Sequence, residues 1–153
     1  MFEDDDRTVV LAAMMLPSQA NSRGTVHGGE IMKMMDSSAV AAAVKFCKIG
    51  VVTARVDELQ FMHPIHIADY VTCMARVVYV GRTSLEVFVR VTVENLRGTE
   101  GMKRALEAYF TLVALDENEK PTPVKPFTPS TPLEREQWEY VAQRRARQAQ
   151  SRR

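Results

Sequence analysis

Cysteine is scarce in this chain: two residues among 153, with neither metal-type nor redox-type spacing. Cys47 falls in an apolar helical stretch and Cys73 in an apolar strand stretch, so both read as small buried hydrophobes in a reducing compartment. An excess of one charge is missing too. Twenty Lys and Arg oppose 19 Asp and Glu for a net charge of +1, which gives no global reason to expect nucleic acid or an anionic membrane as partner. No apolar run approaches the roughly eighteen residues of a membrane span. The start of the chain carries Glu3, Asp4, Asp5 and Asp6 in place of a basic, apolar leader. Those acids argue against a secretory or transit peptide and for a cytoplasmic protein. The chain contains no P-loop, zinc signature or serine-nucleophile elbow.

Glycine and proline are also few, seven of each, so their positions carry information. Thr8 to Leu16 is an apolar run closed by Pro17 and reads as an opening strand. A turn from Ser18 to Gly24 leads to a helix over about Gly29 to Cys47, closed by Gly50. The period then changes. Val51 to Phe61, Tyr70 to Val80, Ser84 to Glu94 and Lys103 to Leu115 are rich in Val, Thr, Tyr and Phe with alternating polar residues, which predicts four long strands. A wide connection over Pro64 to Asp69, a tight hairpin at Gly81-Arg82-Thr83 and a longer link over Asn95 to Met102 make the later strands antiparallel. One helix beside a five-stranded antiparallel sheet must bury its apolar side there, giving a two-layer α+β domain over residues 1–117.

Pro121, Pro123, Pro126, Pro129 and Pro132 supply five of the seven prolines, so residues 118–132 read as an extended surface segment. Residues 133–153 have a helical composition, with Glu134, Glu136 and Glu139 early and arginines late, as the helix dipole favours. This helix is expected to pack through Trp138 and Val141 or to fray. The basic end, with Arg144, Arg145, Arg147, Arg152 and Arg153, reads as a solvated tail.

The functional signal lies between Asn21 and Asp36. His27-Gly28-Gly29 opens an apolar helix that carries one acid, Asp36, and an ionised carboxylate on such a face is costly unless something pairs with it or uses it. Helical spacing lines up Gly29, Met32 and Asp36 on one face. The two glycines leave the free N–H groups of the first turn open to a ligand oxygen, where the helix dipole favours developing negative charge. Asn21 precedes this helix and can share the site.

Asn21, Gly24, His27-Gly28-Gly29, Met32, Met35 and Asp36, followed by Val52-Thr53-Ala54-Arg55-Val56-Asp57 and Phe61-Met62-His63-Pro64-Ile65, resemble the hotdog-fold acyl-CoA thioesterases. The similarity is to the brain acyl-CoA hydrolase and bacterial YciA-like branch, over about residues 8 to 117. The resemblance implies a hotdog fold, a long central helix wrapped by the sheet. It also implies hydrolysis of acyl-CoA to a free acid and coenzyme A without metal or prosthetic group. The implied site forms at a homodimer interface, between Asn21 of one chain and Asp36 of the other, and such dimers commonly assemble as trimers of dimers.

On that reading Gly29 and its neighbours polarise the thioester carbonyl. Asp36 acts as general base or as nucleophile, the sequence leaving both open, and Asn21 positions water or carbonyl. Arg55, Arg82, Thr83, Ser84 and Arg104 are candidates for the phosphates of coenzyme A. Gly28 and His27 are expected near the thioester, and Met32, Met35 and Phe61 along the acyl chain. Two other readings remain: a hotdog hydroxyacyl-thioester dehydratase using a histidine base, and a non-catalytic acyl-CoA sensor. Acyl length and nucleotide control are not encoded in the motif.

Overall fold

A computed structural model describes residues 5–152 of the chain; Glu3, Asp4 and Arg153, named above, lie outside the described residues. The elements run β1 (Thr8–Met14), a single 3-10 turn (Pro17–Gln19), α1 (Gly28–Cys47), β2 (Val51–Phe61), β3 (Tyr70–Val80), β4 (Ser84–Glu94), β5 (Lys103–Ala114) and α2 (Pro132–Ser151). The five strands form one antiparallel sheet in the order β1-β3-β4-β5-β2, leaving β1 and β2 as edges.

The expected α+β hotdog arrangement is present, because α1 has a continuous apolar face to bury. Ile31, Met35, Ala39, Ala42, Ala43 and Phe46 turn towards the sheet and are nearly solvent-free. The inward residues of the sheet meet them, among them Val87, Val89, Val91, Leu106, Phe110 and Leu112. Cys47 and Cys73 are both buried and free. Lys48 ends α1 in the left-handed conformation, φ 61°, and its N–H donates to the Val44 carbonyl.

β2 departs from regular pairing twice. Its register against β5 shifts between Thr53 and Arg55 and again between Asp57 and Gln60. An extra residue changes which face the following side chains occupy. Thr53 pairs with Leu112 and Val56 with Phe110, both core residues, so these two face α1; Arg55 pairs with Thr111 and Asp57 with Tyr109, which face away.

The C-terminal segment corrects one expectation. α2 packs instead of fraying, and two of its arginines, Arg144 and Arg145, are not part of a solvated tail, whereas Arg147 and Arg152 are exposed. The Thr131 hydroxyl caps the helix by accepting from the Glu134 N–H at 3.1 Å, with Pro132 in the first turn. Val141 is fully buried, and Trp138 packs at a tilt against Tyr79 with 4.5 Å between ring centroids. Arg144 is 4 % exposed, its guanidinium 2.8 Å from the Glu86 carboxylate, itself 1 % exposed. Arg145 adds a second contact to Glu86 at 3.1 Å, and the Thr111 hydroxyl donates to Glu86 at 2.9 Å. α2 therefore lies on the face of the sheet opposite α1, fixed by a fully buried carboxylate.

Candidate active site

Asp36 lies on the side of α1 turned away from its own sheet core, half-buried, on the same side as the exposed Gly29 and Met32. Its Oδ1 accepts a hydrogen bond of 2.6 Å from the Thr53 hydroxyl on β2. The first bulge of β2 makes this possible by keeping Thr53 inward while Arg55 points out. Thr53 was quoted in the sequence only as part of a strand motif. Its signal was a hydroxyl at an inward position of an otherwise apolar strand face.

The start of α1 is open. His27 occupies the N-cap position without a side-chain cap, and its carbonyl accepts from Glu30 and Ile31 at 3.0 and 3.4 Å. Among the described residues nothing accepts a hydrogen bond from the N–H of Gly28 or Gly29. A side chain at Gly28 would meet the Phe61 ring at 3.2 Å, whereas a side chain at Gly29 would enter open space. Phe61, 60 % exposed, thus flanks the free N–H groups with an aromatic wall.

Asn21 opens a tight turn. Its Oδ1 accepts from the N–H of Arg23 at 2.9 Å and of Thr25 at 3.2 Å, and its Nδ2 donates to the Thr25 hydroxyl at 2.8 Å. Gly24 follows at φ 80°, a conformation that favours glycine. Within one protomer no hydrogen bond joins Asn21 to Asp36.

The remaining candidates separate. Met35 is fully buried in the core of its own protomer, which corrects its expected place along an acyl chain; Met32, 36 % exposed, keeps its place beside Asp36. Arg55, Thr83 and Ser84 line a cleft of about 380 Å³ with Arg145 and Arg152 on the α2 side of the sheet. Arg55 is held by Asp57 at 2.7 Å, and Ser84 accepts from Arg145 at 2.9 Å. Gly81 makes that second contact possible, since a side chain there would stand 3.1 Å from the Arg145 guanidinium. Arg104 is exposed, 3.7 Å from Glu107, and Arg82 is exposed at the hairpin, its carbonyl accepting from the Val124 N–H. Arg55 and Ser84 thus face away from Asp36, so these five residues do not form one groove with it inside a single protomer. Arg55 faces away because the first bulge resets the parity of β2, and Ser84 because its neighbour Leu85 takes the inward position opposite Leu112.

Residues 23–99 match the Thioesterase superfamily. The chain is 36 % identical to protein VdlD of Helicobacter pylori over 92 % of this chain and 80 % of that protein. It is 37 % identical to the uncharacterized acyl-CoA thioester hydrolase YkhA of Bacillus subtilis over 80 % of this chain and 71 % of that protein. Among solved structures, an apo-hexameric acyl-CoA thioesterase superposes with a TM-score of 0.88 at 32 % identity, covering 94 % of this chain and 92 % of the other. The acyl-CoA hydrolase of Staphylococcus aureus, solved with butyryl coenzyme A, coenzyme A and coenzyme A disulfide, superposes at 0.85 with 30 % identity, over 95 % of this chain and 88 % of that one. That enzyme has also been solved with alanine replacing one aspartate, one asparagine and one threonine.

Fold and sequence together place the molecule among enzymes that cleave thioesters. This chain belongs to the Thioesterase superfamily, in the hotdog-fold acyl-CoA hydrolase group.

Proposed function

We propose that this chain hydrolyses acyl-CoA to a free acid and coenzyme A at a site shared by two copies. The observation that carries this reading is Asp36, held by the Thr53 hydroxyl on the same side of α1 as Gly29 and about two turns along the helix from the uncapped N–H groups of Gly28 and Gly29. A carbonyl oxygen seated on those N–H groups gains hydrogen bonds and the helix dipole as it becomes an oxyanion. Asp36 either takes a proton from a water whose oxygen attacks the carbonyl carbon, or attacks that carbon itself to form a mixed anhydride that water then hydrolyses; in both routes the C–S bond breaks and coenzyme A leaves as the thiolate. The reaction needs only water besides the substrate. The aspartate, asparagine and threonine substituted in the S. aureus enzyme are spaced along its sequence as Asp36, Asn21 and Thr53 are spaced here.

Dimerisation is supported by β2. It is an edge strand with a free row of backbone groups, and it exposes Val52 at 47 % and Val56 at 36 %. α1 beside it exposes Met32 at 36 % and Val44 at 37 %. Such an edge is a template for pairing with a second copy. In that dimer the Asn21 turn of one subunit faces Asp36 of the other, and a trimer of dimers follows the hexameric relatives. The two free buried thiols fit a cytoplasmic setting, and among the described residues no helix is long and apolar enough to cross a membrane.

The test is thiol release from acyl-CoA by wild type, Asp36→Ala and Asn21→Ala. Each variant should fall by about a hundredfold or more while remaining folded. Co-expression of the two variants should restore activity, because one site of a mixed dimer then carries both native residues. Turnover unchanged in folded Asp36→Ala ends the assignment. A folded mixed dimer without activity ends the shared site.

A further inference from the structure

β2 is held to the sheet on one side only, by β5, and its two bulges interrupt even that ladder. Glu58, in the second bulge, sits at φ 56°, a left-handed conformation unfavourable for a residue with a side chain. A strand interrupted in this way does not by itself fix Thr53 to the tolerance that its 2.6 Å bond to Asp36 requires.

α2 supplies what the ladder lacks. The Tyr140 hydroxyl donates to Glu58 Oε1 at 2.5 Å, and Gln148 Nε2 donates to Asp57 Oδ2 at 3.1 Å. Asp57 Oδ1 meanwhile accepts from Arg55 Nε at 2.7 Å, tying the second bulge back to the first. Arg144 approaches Glu58 at 4.0 Å and is itself immobilised by buried Glu86. Tyr140 and Gln148 are eight residues apart on one side of α2, so the helix grips the strand on both sides of the Arg144 anchor.

We propose that Tyr140 and Gln148 are positioning residues for the reaction: by holding Glu58 and Asp57 they fix the twice-bulged β2 so that the Thr53 hydroxyl stays on Asp36. The inference rests on the reading of Asp36 given above. It assigns α2 a part in turnover although neither residue faces the α1 side of the sheet.

The experiment is steady-state hydrolysis of butyryl-CoA by the full chain carrying Tyr140→Phe together with Gln148→Ala. The kcat should fall by about tenfold with KM changed less than about twofold, since alignment and not binding is lost. In a Thr53→Val background the same pair should cost nothing further, because the hydroxyl through which it acts is gone. Glu58→Ala should reproduce the loss, and Glu58→Gln, which keeps an oxygen acceptor for Tyr140, should recover most of it. An unchanged kcat in the folded pair overturns the proposal, and so does an equal loss with and without Thr53. The two failures are distinguishable: if Asp36→Ala is also fully active, the reading of the site fails together with this one.

Discussion

The Thr53 hydroxyl donates to the Asp36 carboxylate at 2.6 Å, joining the edge strand of the sheet to the middle of the central helix. An acid held by one directed hydrogen bond has one oxygen fixed and one free for a water or a thioester carbon. Replacing Thr53 with Val keeps the shape and deletes the donor. We expect kcat for acyl-CoA hydrolysis to drop by about tenfold or more with little change in KM, as for loss of an aligning contact. An equal fall in affinity and turnover contradicts this role.

Arg144 and Glu86 form an ion pair almost out of reach of solvent, their side chains 5 % and 1 % exposed. Removing one member of a buried pair leaves the other charge stranded. Arg144→Met should therefore destabilise the fold by about 3 kcal/mol, at the low end for such deletions because Arg145 and Thr111 still contact Glu86. Converting Glu86 to Leu as well should return most of that loss. Urea unfolding of the single and double variants measures both.

Glu134 ties the start of α2 to the strand layer. It accepts from Arg7 at 2.8 Å and from the Ser130 N–H at 2.8 Å. The Arg7 hydrogen bond first, then that of Ser130, hold its carboxyl down to about 2 from an ordinary 4.5. A carboxyl lowered by folding stabilises the native state above its unfolded value, and that contribution is lost as pH falls through the folded one. Native stability should thus decline between about pH 4.5 and about 2 through this group, and Glu134→Gln should flatten the decline while lowering stability at neutral pH. Chemical unfolding across that range tests the sign.

Cys73 has no exposed surface, and burial pushes its thiol up to about 11. Its reactive thiolate is scarce at pH 8. Iodoacetamide should leave Cys73 unmodified in the native protein and label it only after denaturant is added, as peptide mass analysis will show. Rapid native labelling means that β3 opens locally.

The fold was legible because its periods are clean. The apolar face of Ile31, Met35, Ala39, Ala42 and Phe46 has the spacing of a helix, and the alternation from Tyr70 to Ala114 has that of strands joined by one tight hairpin and one longer link. The candidate site was legible in part, since Gly28-Gly29 before a helix and an acid on its apolar side are local signals. Met35 was misplaced because spacing along a helix does not say which of two apolar sides meets the sheet. Arg55 was grouped with the site because a bulge, which decides strand parity, leaves no clear trace in composition.

What the sequence determined alone is the inventory: one buried helix, five strands, a helix start without side chains, Asn21 and Asp36 at a fixed spacing. Those properties depend on residues near each other along the chain, where propensity and periodicity act directly. Tertiary structure decided the partnerships: Thr53 on Asp36, Phe61 beside Gly28, and Arg144 and Arg145 turned inward onto Glu86. Each joins residues distant in sequence, and its geometry follows from how strands shift register and helices seat on a sheet. Only packing sets that.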